Sequence, residues 1–180
     1  MNTTPFRWIN QLADRTGWGQ GFFTAYAKYA IVLFAALVVA AYLDSRRHGD
    51  ASAVAGSVWA GGAALVALGV GQVIGGSIDR ARPYEALTDV HLLVHRTTDF
   101  SFPSDHATAA GAVAVGLLLT NRGWGHIAAV AAVVMMAFAR LYVGAHYPGD
   151  VLAGLRLGAW LSRTPARVIV TNAGAATQPV

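Results

Sequence analysis

Two runs of apolar residues, each too long for the core of a small soluble fold, constrain this chain most. The first extends from Thr24 to Leu43 and the second from Ser52 to Ile78. A helix of about 20 apolar residues crosses the hydrocarbon layer of a bilayer, so each run suffices for one passage. Composition agrees, because the 180 residues are 55% hydrophobic and only 12% charged, against about 25% charged in ordinary soluble domains. Tyr26 and Tyr29 open the first run, and Asp44, Arg46 and Arg47 close it. Aromatic residues at one end and arginines at the other suit the two membrane interfaces. The second run is rich in Gly and Ala, which favours close contact between helices rather than lipid exposure.

Three shorter apolar segments follow, at about Ser104–Thr120, Ile127–Val143 and Pro148–Ser162, the last containing Arg156. The expectation is an all-α polytopic bundle of about five transmembrane helices, forming one domain over residues 1–180. A tight turn is expected at Asn121–His126 and a frayed or interfacial tail over 163–180. Residues 1–22 lack the apolar block and cleavage site of a signal peptide, so targeting falls to the first span. Phe6, Ile9, Leu12 and Ala13 recur there at helical spacing beside Trp8. They predict a short amphipathic helix lying in the interface, an ordinary lead-in with no further role.

Five spans put the polar segment Asp79–Pro103 and the turn Val143–Gly149 on one side. Arg46, Arg47, Arg122, Arg163 and Arg167 fall on the other, against Arg80, Arg82, Arg96, Arg7, Arg15 and Lys28 on the polar side. With Arg82 set aside as a site residue the two sides carry equal numbers and the remaining bias is weak; the reading adopted turns the polar loops away from the cytoplasm. A multi-pass protein of the inner or plasma membrane, its site on the extracytoplasmic face, is the expectation.

Several functions are disfavoured. The net charge of +4 comes from few, scattered basic residues, without the basic run and interleaved aromatics of a nucleic-acid surface. The chain has no cysteine, hence no disulfide and no thiolate metal site. Gly61, Gly62, Gly69, Gly71, Gly75 and Gly76 lie inside an apolar run without a Lys-Ser/Thr ending, which reads as helix packing rather than a nucleotide loop. His91 and His95, four apart and followed by Asp99, have no firm third ligand and read as a polar loop near the membrane surface. No metal, cofactor or obligate protein partner is expected; the expected partners are the bilayer and a lipid phosphate substrate.

The remaining polar residues gather in three blocks: Arg82-Pro83, then Pro103-Ser104-Asp105-His106, then Arg140 through His146 to Asp150. Polar groups at membrane depth are costly and usually mark a site. Ser104 reads as a helix N-cap, with Asp105 and His106 in the first turn, where free N–H groups favour an anion. Arg82 and Arg140 supply forked donors matched to phosphate oxygens. Asp150, four residues beyond His146, is placed to hold one imidazole nitrogen and leave the other as nucleophile or base. His106 is available to protonate a leaving oxygen. These parts fit phosphoryl transfer.

The blocks resemble the signature of the type 2 phosphatidic acid phosphatase family, K-x6-R-P, P-S-G-H and S-R-x5-H-x3-D, over residues 75–150. The likeness is greatest to its bacterial undecaprenyl-diphosphate phosphatases, which also carry Asp in the second block and a Ser-Phe-Pro approach like Ser101-Phe102-Pro103. Ile9-Asn10-Gln11-Leu12-Ala13 and Ala27-Lys28-Tyr29-Ala30 are similar to their entry into the first span.

The resemblance implies a metal-independent lipid phosphatase in which His146 becomes a phosphohistidine and Asp150 orients it. Arg82, Ser104, Asp105 and Arg140 hold the phosphoryl group, and His106 protonates the leaving group. It further implies undecaprenyl diphosphate as substrate and a role in recycling the envelope lipid carrier. Rival readings are a phosphatase of phosphatidic acid, phosphatidylglycerol phosphate or a polyprenyl-phosphosugar, a non-catalytic lipid-binding or transport protein, and a vanadate haloperoxidase. Two positions depart from the pattern: Gly75 stands where the first block has lysine, and Ala139 where the third has serine. Arg80 or Arg96 is the expected replacement for the lost charge.

Overall fold

The computed structural model describes residues 3–120 and 124–176, with side chains for 3–119 and 127–163. The described residues form seven helices and no strand: α1 (Thr3–Arg15), α2 (Gly17–Arg47), α3 (Ala51–Ile78), α4 (Pro83–Ala86), α5 (Asp105–Thr120), α6 (Trp124–Tyr142) and α7 (Pro148–Ala176). The segments Gly17–Arg47 and Ala51–Ala86 are long and apolar enough to cross a membrane, with mean hydropathy of 1.9 and 1.8 in their most apolar stretches. Val32, Leu65, Val73 and Val134 point outward, each more than 60% exposed. Aliphatic surface of that extent is unfavourable in water and neutral in lipid. This is a membrane protein.

Helix α5 lies at the centre, against α2, α3, α6 and α7. Its approach to α7 is backbone on backbone. A Cβ on Gly154 would lie 2.6 Å from the Ser104 carbonyl oxygen, and one on Gly158 would collide with that of Thr108. Against α3 the contact is a stripe of Ala60, Ala63, Ala64 and Ala67, all buried, continued by Gly71 and Gly75. Of the glycines read as packing residues, Gly69 meets nothing within 4 Å, so alanine carries much of that interface.

Two expectations change. Helix α7 continues to Ala176, through Pro165 and Gly174, past the tail expected to fray from Arg163. Helix α1 is more than a lead-in. Trp8 and Leu12 face outward, but Phe6, Asn10 and Ala13 are buried, and Phe6 packs on Tyr147 with ring centroids 5.6 Å apart. The Asn10 amide donates to the carbonyls of His91 and Tyr142 at 2.8 and 3.0 Å, and its oxygen accepts from the His91 N–H at 2.9 Å. Arg7–Asp89 and Asp14–His91 add ion contacts at 3.2 and 2.6 Å. Helix α1 thus clasps the polar segment to the end of α6. The turn expected at Asn121–His126 falls largely outside the described residues, as do the side chains of Arg122 and Arg167.

Candidate active site

The site begins with how α6 ends. Gly144 has φ +79°, a left-handed conformation that L side chains rarely adopt, and a Cβ there would lie 2.8 Å from the His91 carbonyl oxygen. The reversal brings the chain back over its own last turn, so the N–H groups of Ala145 and His146 both reach the Arg140 carbonyl, at 3.1 and 3.3 Å. The six-residue spacing therefore sets Arg140 and His146 side by side. Pro148 then opens α7 with a pre-set φ, and Asp150 accepts the Tyr147 N–H at 2.9 Å.

His146 is 1% exposed. Its Nδ1 lies 2.8 Å from the Ser101 carbonyl oxygen, and its Nε2 lies 3.2 Å from Arg82 Nη1. A carbonyl only accepts and a guanidinium only donates, so Nδ1 carries the proton and Nε2 presents its lone pair. Burial first, and then the charges of Arg140 and Arg82, hold the imidazole well below its ordinary pKa of 6.5. It is therefore neutral, the form a nucleophile needs.

Asp150 stands differently from the expectation that it grips the imidazole. Its Oδ2 is 3.9 Å from His146 Nδ1, too far for a hydrogen bond. It accepts the Ser101 hydroxyl at 2.6 Å and pairs with Arg80, so its connection to His146 runs through Ser101, whose carbonyl meets Nδ1. Ser101 is the residue that sequence reasoning missed as a site residue. Its only signal was its place two residues before Pro103.

Arg82 is extended and followed by Pro83, which disfavours helix at residue 82. Glu85 accepts its backbone N–H at 2.9 Å. Its guanidinium donates to the carbonyls of Ala145 and Asp99, both at 3.2 Å, and pairs with the Asp99 carboxylate at 3.0 Å. Burial pushes the Asp99 carboxyl upward, but the Thr97 hydrogen bond and the Arg82 charge outweigh it and hold the group below its ordinary pKa. Arg140 donates to the Ala27 carbonyl at 3.2 Å, while its buried Nε has no partner among the described residues.

Arg82, Asp105, His106, Arg140 and His146 line a cavity of about 570 Å³. Ser104 does not; it holds the N-cap position of α5, its carbonyl accepting the Thr108 N–H at 2.8 Å, but its buried hydroxyl has no partner among the described residues and makes no cap bond. Neither proposed accessory arginine lies on the wall. Arg80 is held by Asp150 and stacks over Tyr147, 4.6 Å from the ring centroid, and Arg96 stacks over Tyr84 at 5.6 Å. The glycine at position 75 has a steric reason: a Cβ there would lie 2.9 Å from the Phe102 carbonyl oxygen and 3.2 Å from the Phe100 ring. Ala139 is fully buried in an apolar cluster with Ala27 and Tyr142, away from the cavity wall.

Residues 56–172 match the family described as the PAP2 superfamily, well over half of the chain. The chain belongs to that family. An undecaprenyl-diphosphatase of Sulfolobus acidocaldarius is 38% identical over 98 residues, 54% of this chain and 48% of that protein, so the match spans about half the relative's length. Undecaprenyl-diphosphatase BcrC of Bacillus subtilis is 33% identical over 161 residues, covering 86% of this chain and 77% of that protein. The crystal structure of Aquifex aeolicus LpxE shares the PAP2 fold, with a TM-score of 0.69 at 24% identity over 94% of each chain.

Proposed function

We propose that this PAP2 protein is a lipid phosphatase that cleaves a polyprenyl diphosphate, undecaprenyl diphosphate above all, to the monophosphate and inorganic phosphate. One observation carries the reading: the unprotonated Nε2 of His146 accepts from Arg82 at the wall of a cavity shared with Arg140 and His106. Names among the relatives support the substrate class. The terminal phosphoryl group displaces Arg82 from Nε2 and takes its donors, with Arg140 on its other oxygens and the N–H groups at the start of α5 beside them. Nε2 attacks phosphorus as the bridging P–O bond breaks, and His106 gives the leaving lipid phosphate a proton. Asp150, through Ser101, keeps Nδ1 protonated and stabilises the charge that develops on the ring. A water then attacks the phosphohistidine, giving its proton to His106 and releasing phosphate.

Helices α2, α3, α5, α6 and α7 are the five spans in this reading, with the cavity opening at the extracytoplasmic face, where a spent envelope carrier accumulates. The test is phosphate release in detergent with EDTA from undecaprenyl diphosphate, phosphatidic acid and phosphatidylglycerol phosphate, with His146→Ala as control. Turnover of the polyprenyl substrate, lost in the variant, supports the proposal. Preference for the glycerolipids overturns the substrate, and dependence on a metal overturns the mechanism.

A further inference from the structure

Arginine and aspartate side chains on the cavity wall nearly cancel. Arg82 and Arg140 face Asp99 and Asp105, and Asp99 is paired with Arg82 at 3.0 Å. One further cation lies on the wall, Lys28 of α2. It gives the cavity its single net positive charge; without it the wall would be neutral while the substrate is a polyanion. Lys28 is one residue beyond Ala27, whose carbonyl accepts Arg140, so the register of α2 is fixed where it meets the site. The ammonium rests 5.1 Å from the Tyr29 ring centroid and has no carboxylate partner among the described residues. The other basic residues nearby are committed elsewhere, Arg80 to Asp150 and Arg96 to Tyr84, and packing at Gly75 leaves no room for a side chain.

Depth orders these cations. Arg82 and Arg140 are 5% and 8% exposed, beside the buried His146, whereas Lys28 is an exposed residue of the same wall. In a diphosphate under attack by His146, the terminal phosphoryl group occupies the buried end and the lipid-bearing phosphate trails outward. We propose that Lys28 binds this second phosphate and so sets the preference of the site for a lipid diphosphate over a lipid monophosphate. Lys28 gains most as the bridging bond breaks, because the departing phosphate then carries the added charge. A lysine that merely reaches up to the membrane interface makes no such distinction between substrates. The inference rests on the function proposed above.

The experiment measures kcat/KM of the full chain in detergent on farnesyl diphosphate and farnesyl phosphate, for wild type, Lys28→Met and Lys28→Arg. Loss of one charge-assisted hydrogen bond predicts a fall of about 10-fold or more on the diphosphate in Lys28→Met. The monophosphate rate changes by less than about threefold, and Lys28→Arg restores most of the diphosphate rate. Inorganic pyrophosphate as a competitor gives a second readout, its inhibition weakening in Lys28→Met far more than that of inorganic phosphate. Equal losses on both substrates, or no loss on either, overturn the role of Lys28 while a wild type that cleaves the diphosphate leaves the proposed function standing. A wild type that cleaves only the monophosphate, or neither, overturns both.

Discussion

Replacing Ser101 by alanine tests how the site holds its nucleophile. The Ser101 hydroxyl donates to Asp150 Oδ2 at 2.6 Å, and the same residue's carbonyl holds His146 Nδ1 at 2.8 Å. Ser101 is fully buried and does not line the cavity. Removing the hydroxyl leaves Asp150 with the Tyr147 N–H and Arg80, and frees the carbonyl to drift with its loop. A hydrogen bond to a charged group is worth about 1.5–3 kcal/mol, which corresponds to about 10- to 150-fold in rate if it is expressed at the transition state. The loss should fall on kcat, with KM close to wild type, because no substrate contact is removed. Phosphate release against lipid diphosphate concentration separates the two constants, and thermal unfolding in detergent establishes that the variant is folded. Because Ser101 and Asp150 form one relay, Asp150→Asn and the double variant should lose about the same rate rather than the product of the two losses. An unchanged kcat in a folded Ser101→Ala, or a defect confined to KM, would refute the relay.

Asn10→Ala removes three hydrogen bonds at a buried position; it should cost about 2–3 kcal/mol of stability and raise KM by loosening the segment that lines the cavity, as thermal unfolding and steady-state kinetics will show. Restoring the family lysine through Gly75→Lys should lower stability by about 1–3 kcal/mol, since the new Cβ meets the Phe102 backbone, without raising phosphate release. Because the folded His146 titrates well below 6.5, the unfolded chain takes up a proton below that pH which the folded protein does not. Its contribution to stability is complete above pH 6.5 and declines by about 1.4 kcal/mol per pH unit on acidification, so unfolding of His146→Asn should depend less on pH between 6.5 and 5 than that of wild type.

The parts of the site that could be read from the sequence are those fixed by short spacings. The His146 N–H bonds the Arg140 carbonyl, and Arg82 precedes the proline that holds it extended, so local order carries the information. The apolar runs gave the helices in the same way. What could not be read depends on partners far apart in the chain. Asn10 binds groups 81 and 132 residues away, and the Ser101–Asp150 bond spans 49 residues. No periodicity reveals such pairs. The replacement expected from Arg80 failed for a related reason: proximity in sequence to Arg82 could not show that its charge is taken up by Asp150. Lys28 sits in an apolar span 54 positions before Arg82 and reaches the cavity only because α2 packs beside Arg140.

The claim at the centre of the account is that His146 Nε2 receives the phosphoryl group. Rapid mixing of the protein with a lipid diphosphate carrying labelled terminal phosphate, quenched in base and analysed by mass spectrometry of peptides, tests it directly. The account predicts a base-stable, acid-labile phosphohistidine at His146, absent from His146→Ala and accumulating when His106 is replaced by Gln in the presence of a substrate whose leaving group needs no proton. Label on another residue, or full turnover by His146→Ala, would contradict it.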